Sequence, residues 1–177
     1  EGSEGELYVV DYDLTGQIYE LLPSNQQDTS QDFPRKLSET GLFESLQDMQ
    51  PQAGIVGYDV QVSRWTDGST AQRWVAIPGA QRITLPGGLS QQAVYPEGTV
   101  FVKNLILPQG RQQRASHLET QILHYEGGTW RPYSYLWDAT GEEAHLVGVA
   151  GAERTIQTSL SEESSGISER TWRVNSH

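Results

Sequence analysis

Leu118-Glu119-Thr120-Gln121-Ile122-Leu123-His124-Tyr125-Glu126-Gly127-Gly128-Thr129-Trp130-Arg131-Pro132-Tyr133-Ser134-Tyr135-Leu136-Trp137 is the stretch that decides the fold. Two runs rich in β-branched and aromatic residues flank a glycine pair. Glycines supply the positive φ angles that a two-residue hairpin turn needs. The reading is two antiparallel strands, 118–125 and 129–137. Side chains alternate across a strand, so Arg131, Tyr133, Tyr135 and Trp137 share one face. That face has two readings. It is a platform on which a sugar or another ring stacks, or a route toward a redox partner. Or it is sandwich core, with the hydroxyls and the guanidinium reaching the rim.

The pattern continues outward from this pair. Further strand candidates are Val56–Arg64, Gln72–Ile77, Arg82–Leu85, Thr99–Leu107, Ala144–Val149 and Arg154–Leu160, with Thr171–Val174 as a last one. Turn signals separate many of them: Thr66-Asp67-Gly68, Pro78-Gly79, Pro86-Gly87-Gly88, Pro96-Glu97-Gly98 and Thr140-Gly141. Many short strands with Gly and Pro turns give a mainly β fold, an antiparallel β-sandwich of jelly-roll-like type. One short helix is expected near its start, over 37–49. There Ser38 is a candidate N-cap, and Leu42, Phe43, Leu46 and Met49 recur near the helical period. Before it, residues 1–23 read as a separate β-hairpin around Asp13-Leu14-Thr15-Gly16. Residues 24–32 are polar and read as a linker. The sandwich domain is then 33–177.

Charges inside apolar strands mark a second feature. Lys103 shares a strand face with Phe101 and Leu105, and Glu119 sits between Leu118 and Thr120. A buried charge without a partner costs several kcal/mol, so Lys103 and Glu119 are candidates for an internal ion pair. Asp67 and Arg73 are candidates to join them. The alternatives are a polar pocket at a ligand site, or side chains that simply point outward. His117 and Glu119, two apart, are placed by alternation on one face, as a metal pair would require. None of the four histidines falls in a recognised metal-binding spacing. Asp11-x-Asp13-x-Thr15-Gly16 begins like a calcium loop, but Leu22 stands where the bidentate Glu belongs. No nucleophile elbow, phosphate loop or dinucleotide fingerprint occurs.

The chain has 177 residues, no Cys and a net charge of −11. Without Cys it has no disulfide, thiolate zinc site or covalent haem attachment of its own. Its acidity disfavours nucleic acid and anionic lipid as partners. No apolar run approaches the roughly 20 residues of a membrane helix. Glu1-Gly2-Ser3-Glu4 is acidic, unlike the basic and then apolar start of a signal peptide.

Two stretches resemble known families. Gly5-Glu6-Leu7-Tyr8-Val9-Val10-Asp11-Tyr12, with Gly16-Gln17-Ile18-Tyr19-Glu20-Leu21, is similar to the closing strands of a glucose/sorbosone-dehydrogenase-like propeller. The second resemblance covers most of the chain. It runs through Phe33-Pro34-Arg35-Lys36-Leu37-Ser38, Ser63-Arg64-Trp65-Thr66-Asp67-Gly68, Arg73-Trp74-Val75-Ala76-Ile77-Pro78, Pro96-Glu97-Gly98-Thr99-Val100-Phe101-Val102-Lys103, Leu118-Glu119-Thr120 and Tyr133-Ser134-Tyr135-Leu136-Trp137. It resembles an uncharacterised module of exported bacterial proteins, set between such a propeller and a c-type cytochrome domain.

The resemblance implies a middle piece of a larger periplasmic or extracellular redox protein. This chain would carry no cofactor, and haem c and pyrroloquinoline quinone (PQQ) would belong to its neighbours. The expected function is a non-catalytic accessory module partnered by those two domains. A carbohydrate-binding module using the 131–137 face, with a polysaccharide as partner, is the alternative. An enzyme domain with a cleft at Lys103, Glu119 and Tyr133 is the third. The candidate ligand-binding residues are Arg131, Tyr133, Tyr135, Trp137, Lys103, Glu119 and Asp67, with no catalytic and no metal residues.

Overall fold

The computed structural model describes residues 7–10, 16–22, 32–63, 68–87, 92–107, 116–159 and 167–174. The chain divides into two compact units, Glu1–Asp32 and Phe33–His177. The first holds a hairpin of β1 (Leu7–Val10) and β2 (Ile18–Leu21), paired antiparallel with Val10 opposite Ile18. Tyr8, Val9, Val10, Ile18 and Tyr19 are all exposed. Its connection 11–15, including Asp11, Asp13 and Thr15 of the calcium-like spacing, lies outside the described residues. The flanks of that spacing are strands, not the helices of a calcium-binding hand.

The second unit is mainly antiparallel β, in a sandwich-like arrangement. It opens with a 3₁₀ turn, Leu37–Thr40, and a small pair, β3 (Phe43–Ser45) with β4 (Gln50–Pro51). Then come β5 (Val56–Gly57), β6 (Thr70–Ala76), β7 (Val100–Leu107), β8 (Ser116–Glu126), β9 (Thr129–Trp137) and β10 (Ala144–Leu146). These form one six-stranded sheet in unbroken chain order. β11 (Ala152–Ser159) and β12 (Ile167–Val174) make a further hairpin. The Gly127-Gly128 turn closes the β8–β9 hairpin with both glycines at positive φ. Tyr125 therefore pairs with Trp130, and Glu126 with Thr129.

The sheet has two faces with different fates. On the first, Trp74, Val102, Ile122 and Tyr133 stand in one cross-strand row. Segment 33–55 covers this face. Leu37, Phe43 and Met49 pack on that row and on Tyr135, Trp137, Ala144 and Leu146. On the second face the described part of the β11–β12 hairpin covers one end. There Ile156, Trp172 and Val174 pack on Leu105, Leu107 and Leu118. Each fully buried large apolar side chain contributes roughly 1.5–3 kcal/mol, so these two covers anchor the unit.

The helix expected over 37–49 is a single 3₁₀ turn. Gly41, at φ 68° in the left-handed region, ends it. The periodic apolar residues serve a loop that wraps the sheet instead. Leu37, Phe43 and Met49 are buried, while Leu42 and Leu46 pack at the margin. Ser38 does not cap a helix. Its hydroxyl donates to Glu143 Oε2 at 2.6 Å, which ties this turn to the loop before β10. The backbone adds Leu146 N–H to Arg35 O at 2.9 Å. Of the expected strands, Val56–Arg64 shrinks to Val56–Gly57, and Arg82–Leu85 to one bridge between Thr84 and Val94.

One irregularity redirects chemistry. The β7–β8 register runs Leu105↔Glu119 and then Ile106↔His117, so Leu118 is an extra residue on β8. A bulge of this kind re-aims the side chains beyond it. Leu118 joins the second face, and His117 turns to the first.

Candidate functional site

The candidate site residues read from the sequence fall on opposite sides of the sheet. Arg131, Tyr133, Tyr135 and Trp137 do share one face, but it is the covered one. Tyr133 is 4% exposed, and Tyr135 and Trp137 are 0% exposed. Phe33 stacks on Tyr133 with ring centroids 3.6 Å apart, and Tyr135 donates its hydroxyl to Pro34 O at 2.8 Å. Burial, and then the nearby Glu39 carboxylate, push the Tyr135 phenol well above its ordinary range. A stacking platform needs rings open to solvent, so these three are core. Arg131 lies toward the hairpin end, opposite His124. Its Nε lies 3.0 Å from Glu126 Oε2 without hydrogen-bond geometry, so the contact is an electrostatic one.

His117 and Glu119 are separated by the bulge. On the first face, Trp137 Nε1 donates to Thr120 Oγ1 at 2.9 Å and to Asn104 Oδ1 at 3.2 Å. An indole N–H can only donate, which fixes the Asn104 oxygen on that side. Asn104 Nδ2 therefore points to His117 Nδ1, at 2.8 Å, and that ring nitrogen must accept. The proton of the neutral imidazole is thereby assigned to Nε2. His117 also stacks on Trp137, centroids 4.5 Å apart. Burial, and then the Arg154 charge, hold its pKa below the ordinary value. Arg154 itself is a staple: its terminal nitrogens donate to the carbonyls of Trp137, Asp138 and His117 and to Ser116 Oγ.

Glu119 sits on the second face, 6% exposed. Gln121 Nε2 donates to its Oε1 at 2.8 Å, Ser134 Oγ donates to the same oxygen at 3.3 Å, and Trp172 Nε1 donates to Oε2 at 3.2 Å. Lys103 stands on this face too, one cross-strand row away, opposite Gln121 and Arg73. Arg73 turns to Asp59, 3.5 Å from its carboxylate. Asp67 lies outside the described residues. Lys103 and Glu119 thus share a face with each other, but not with Tyr133 or His117, and no single cleft holds the set.

That second face carries an aromatic set which the sequence reading passed over. Outside the cluster that the β11–β12 hairpin buries stand Phe101, Tyr125 and Trp130, joined by Tyr95 and Tyr58 from the flanking segments. Trp130 lies 5.0 Å from Tyr95, 4.9 Å from Tyr125 and 5.6 Å from Phe101, between centroids. Tyr58 and Tyr95 both meet Phe101 edge-on, at 5.9 and 5.7 Å. None of the five is buried. Leu123, in the row of Phe101, is 42% exposed. The next row on the same face is polar: Arg73, Lys103, Gln121 and Ser134. Burial raises the Tyr58 phenol pKa against the pull of Arg73, with Tyr95 adding to the rise, so its hydroxyl remains a donor at neutral pH. Half a sheet face therefore presents rings beside a strip of hydrogen-bonding groups. The signal was available. A two-residue turn at Gly127-Gly128 sets Tyr125 opposite Trp130, on the face that Tyr133 does not share.

A separate cleft of about 400 Å³ lies at the β10 edge, with Leu136, His145, Val147, Ala152 and Arg154 among its lining residues. Its cation is the stapled Arg154. Among the described residues no cluster of three or more His, Cys, Asp or Glu is placed to hold a metal ion. No helix among them is long and apolar enough to cross a membrane. No protein-family model, curated protein or solved structure matches the chain.

Proposed function

We propose that this chain is a non-catalytic accessory module of a larger exported redox protein, and that its own contribution is to hold carbohydrate on the open half of its sheet. The observation that carries this reading is the cluster of Tyr58, Tyr95, Phe101, Tyr125 and Trp130, half-buried except for the exposed Tyr58 and bordered by Lys103 and Gln121. Sugar rings have apolar C–H faces that stack on aromatic side chains, and hydroxyl edges that need hydrogen-bond partners. Rings beside a polar row supply both. On the other face Trp137, Thr120, Asn104 and His117 are matched to one another, and such a satisfied network fixes a fold.

On this reading the module keeps a saccharide near neighbouring domains that carry out the oxidation. A dehydrogenase-like propeller with PQQ and a c-type cytochrome domain with its haem are the proposed neighbours, in the periplasm or outside the cell. The sequence resemblance supports that setting. A glycan array followed by isothermal titration of the 177-residue chain tests the binding half. At least one polysaccharide is expected to bind, and silence across the array contradicts it.

A further inference from the structure

Resting on the carbohydrate reading, we infer that the aromatic cluster takes a single soluble glycan chain or chain end, and not the flat surface of a crystalline polysaccharide. The ring orientations carry this. Interplanar angles are 77° for Tyr95–Trp130, 47° for Tyr125–Trp130, 48° for Phe101–Trp130, 80° for Tyr58–Phe101 and 81° for Tyr95–Phe101. A crystalline polysaccharide presents a plane of parallel sugar faces, and only rings lying in one plane can stack on several of them together. Rings tilted about Trp130 share no such plane. They can offer stacking to a single sugar unit at a time.

The polar row points the same way. Gln121 and Lys103 are only half-buried, one row from Phe101 and Leu123. In a crystalline sheet the sugar hydroxyl edges are already bonded to neighbouring chains. In a soluble chain they are open, and groups beside a stacked ring can reach them. Gln121 is oriented by its nitrogen, which donates to Glu119, and its amide can both donate and accept at a sugar edge. Gln121 is therefore the residue assigned to read the edge of the sugar, and Trp130 the one that holds its face.

The test is binding by the whole chain to two kinds of probe. Soluble glycans (mixed-linkage β-glucan, xylan, maltooligosaccharides) are titrated calorimetrically, and microcrystalline cellulose and chitin are used in pull-downs. Expected is binding to one or more soluble glycans with none to the crystalline solids. Trp130→Ala lowers that affinity about tenfold or more. Gln121→Ala lowers it about threefold or more, as loss of one hydrogen bond does. Tyr95→Ala stands in should Trp130→Ala lower the melting temperature. Equal or stronger capture by crystalline cellulose or chitin overturns the inference and leaves the carbohydrate reading standing. Soluble binding that survives both Trp130→Ala and Tyr95→Ala overturns the placement. No binding to any glycan overturns the inference and the reading together.

Discussion

Trp130 and Trp137 stand on one strand and on opposite faces of one sheet. Trp137 is wholly buried, its N–H shared by Thr120 and Asn104. Trp130 is half-buried among Tyr95, Phe101 and Tyr125, outside both buried clusters of the described residues. Residue type does not separate the two, since both are tryptophans of β9. What separates them is which distant segment lies over each face. Residues 33–55 bury most of the first, whereas the described part of the β11–β12 hairpin packs at one end of the second. A role for an aromatic strand therefore follows from its cover, and the cover is set far away in the chain.

The sharpest way to break this contrast is to make the same change on both sides. Trp137→Ala empties a core site and strands Thr120 and Asn104. It is expected to cost about 3–5 kcal/mol in a chemical melt. Trp130→Ala is expected to cost less than about 1.5 kcal/mol, because its ring and those of its neighbours Tyr95, Phe101 and Tyr125 are only half-buried. Equal costs would mean that Trp130 is core as well.

Glu119 tests where the covered end of the second face begins. Glu119→Ala leaves Trp172, Ser134 and Gln121 without their shared acceptor and loosens the hairpin's hold. The expected loss is about 1.5–3 kcal/mol, the worth of hydrogen bonds to a charged group. A melt unchanged within error would show that Trp172 packs there without help from the carboxylate.

A smaller effect is expected from pH on the first face. His117 has its pKa lowered by burial and by Arg154, and its Nδ1 is committed as acceptor to Asn104. The folded state thus prefers the neutral ring. Its stabilising contribution is full above the unfolded pKa of about 6.5 and is lost as pH falls from there through the lowered folded value. The slope is at most about 1.4 kcal/mol per pH unit for one proton. His117→Gln removes that slope. Glu143 and Asp138 act in a lower window. Burial alone would raise both, but hydrogen bonds (Ser38 to Glu143, Thr140 to Asp138) hold them below the usual carboxylate range. Their contribution is present above that range and is lost in more acidic solution. A wild type and His117→Gln with parallel curves between pH 7 and 5 would remove His117 from the account.

Much of the sheet was legible in the sequence, because β7, β8 and β9 are long, β-rich and joined at β8–β9 by a glycine-pair turn. The pairing of Tyr125 with Trp130 follows from that turn alone. The bulge at Leu118 was not legible, since alternation assumes an unbroken ladder. One extra residue sent His117 and Glu119 to opposite faces. Nor was the fate of 37–49. Helical spacing of Leu42, Phe43, Leu46 and Met49 also suits a loop that lays apolar residues on a sheet, and Gly41 decides between the two. The 131–137 face reads either as platform or as core, because nothing local says that Phe33, Leu37 and Phe43 return to bury Tyr133, Tyr135 and Trp137. Lys103 and Glu119 do share a face, and the aromatic residues on it are Phe101, Tyr125 and Trp130.

The most direct test of the account is isothermal titration of the wild-type chain and of Trp130→Ala with a soluble glycan drawn from the array. The account predicts measurable binding by the wild type and about a tenfold or greater loss in Trp130→Ala at nearly unchanged melting temperature. No heat of binding to any glycan, or equal affinity in the two proteins, would contradict it.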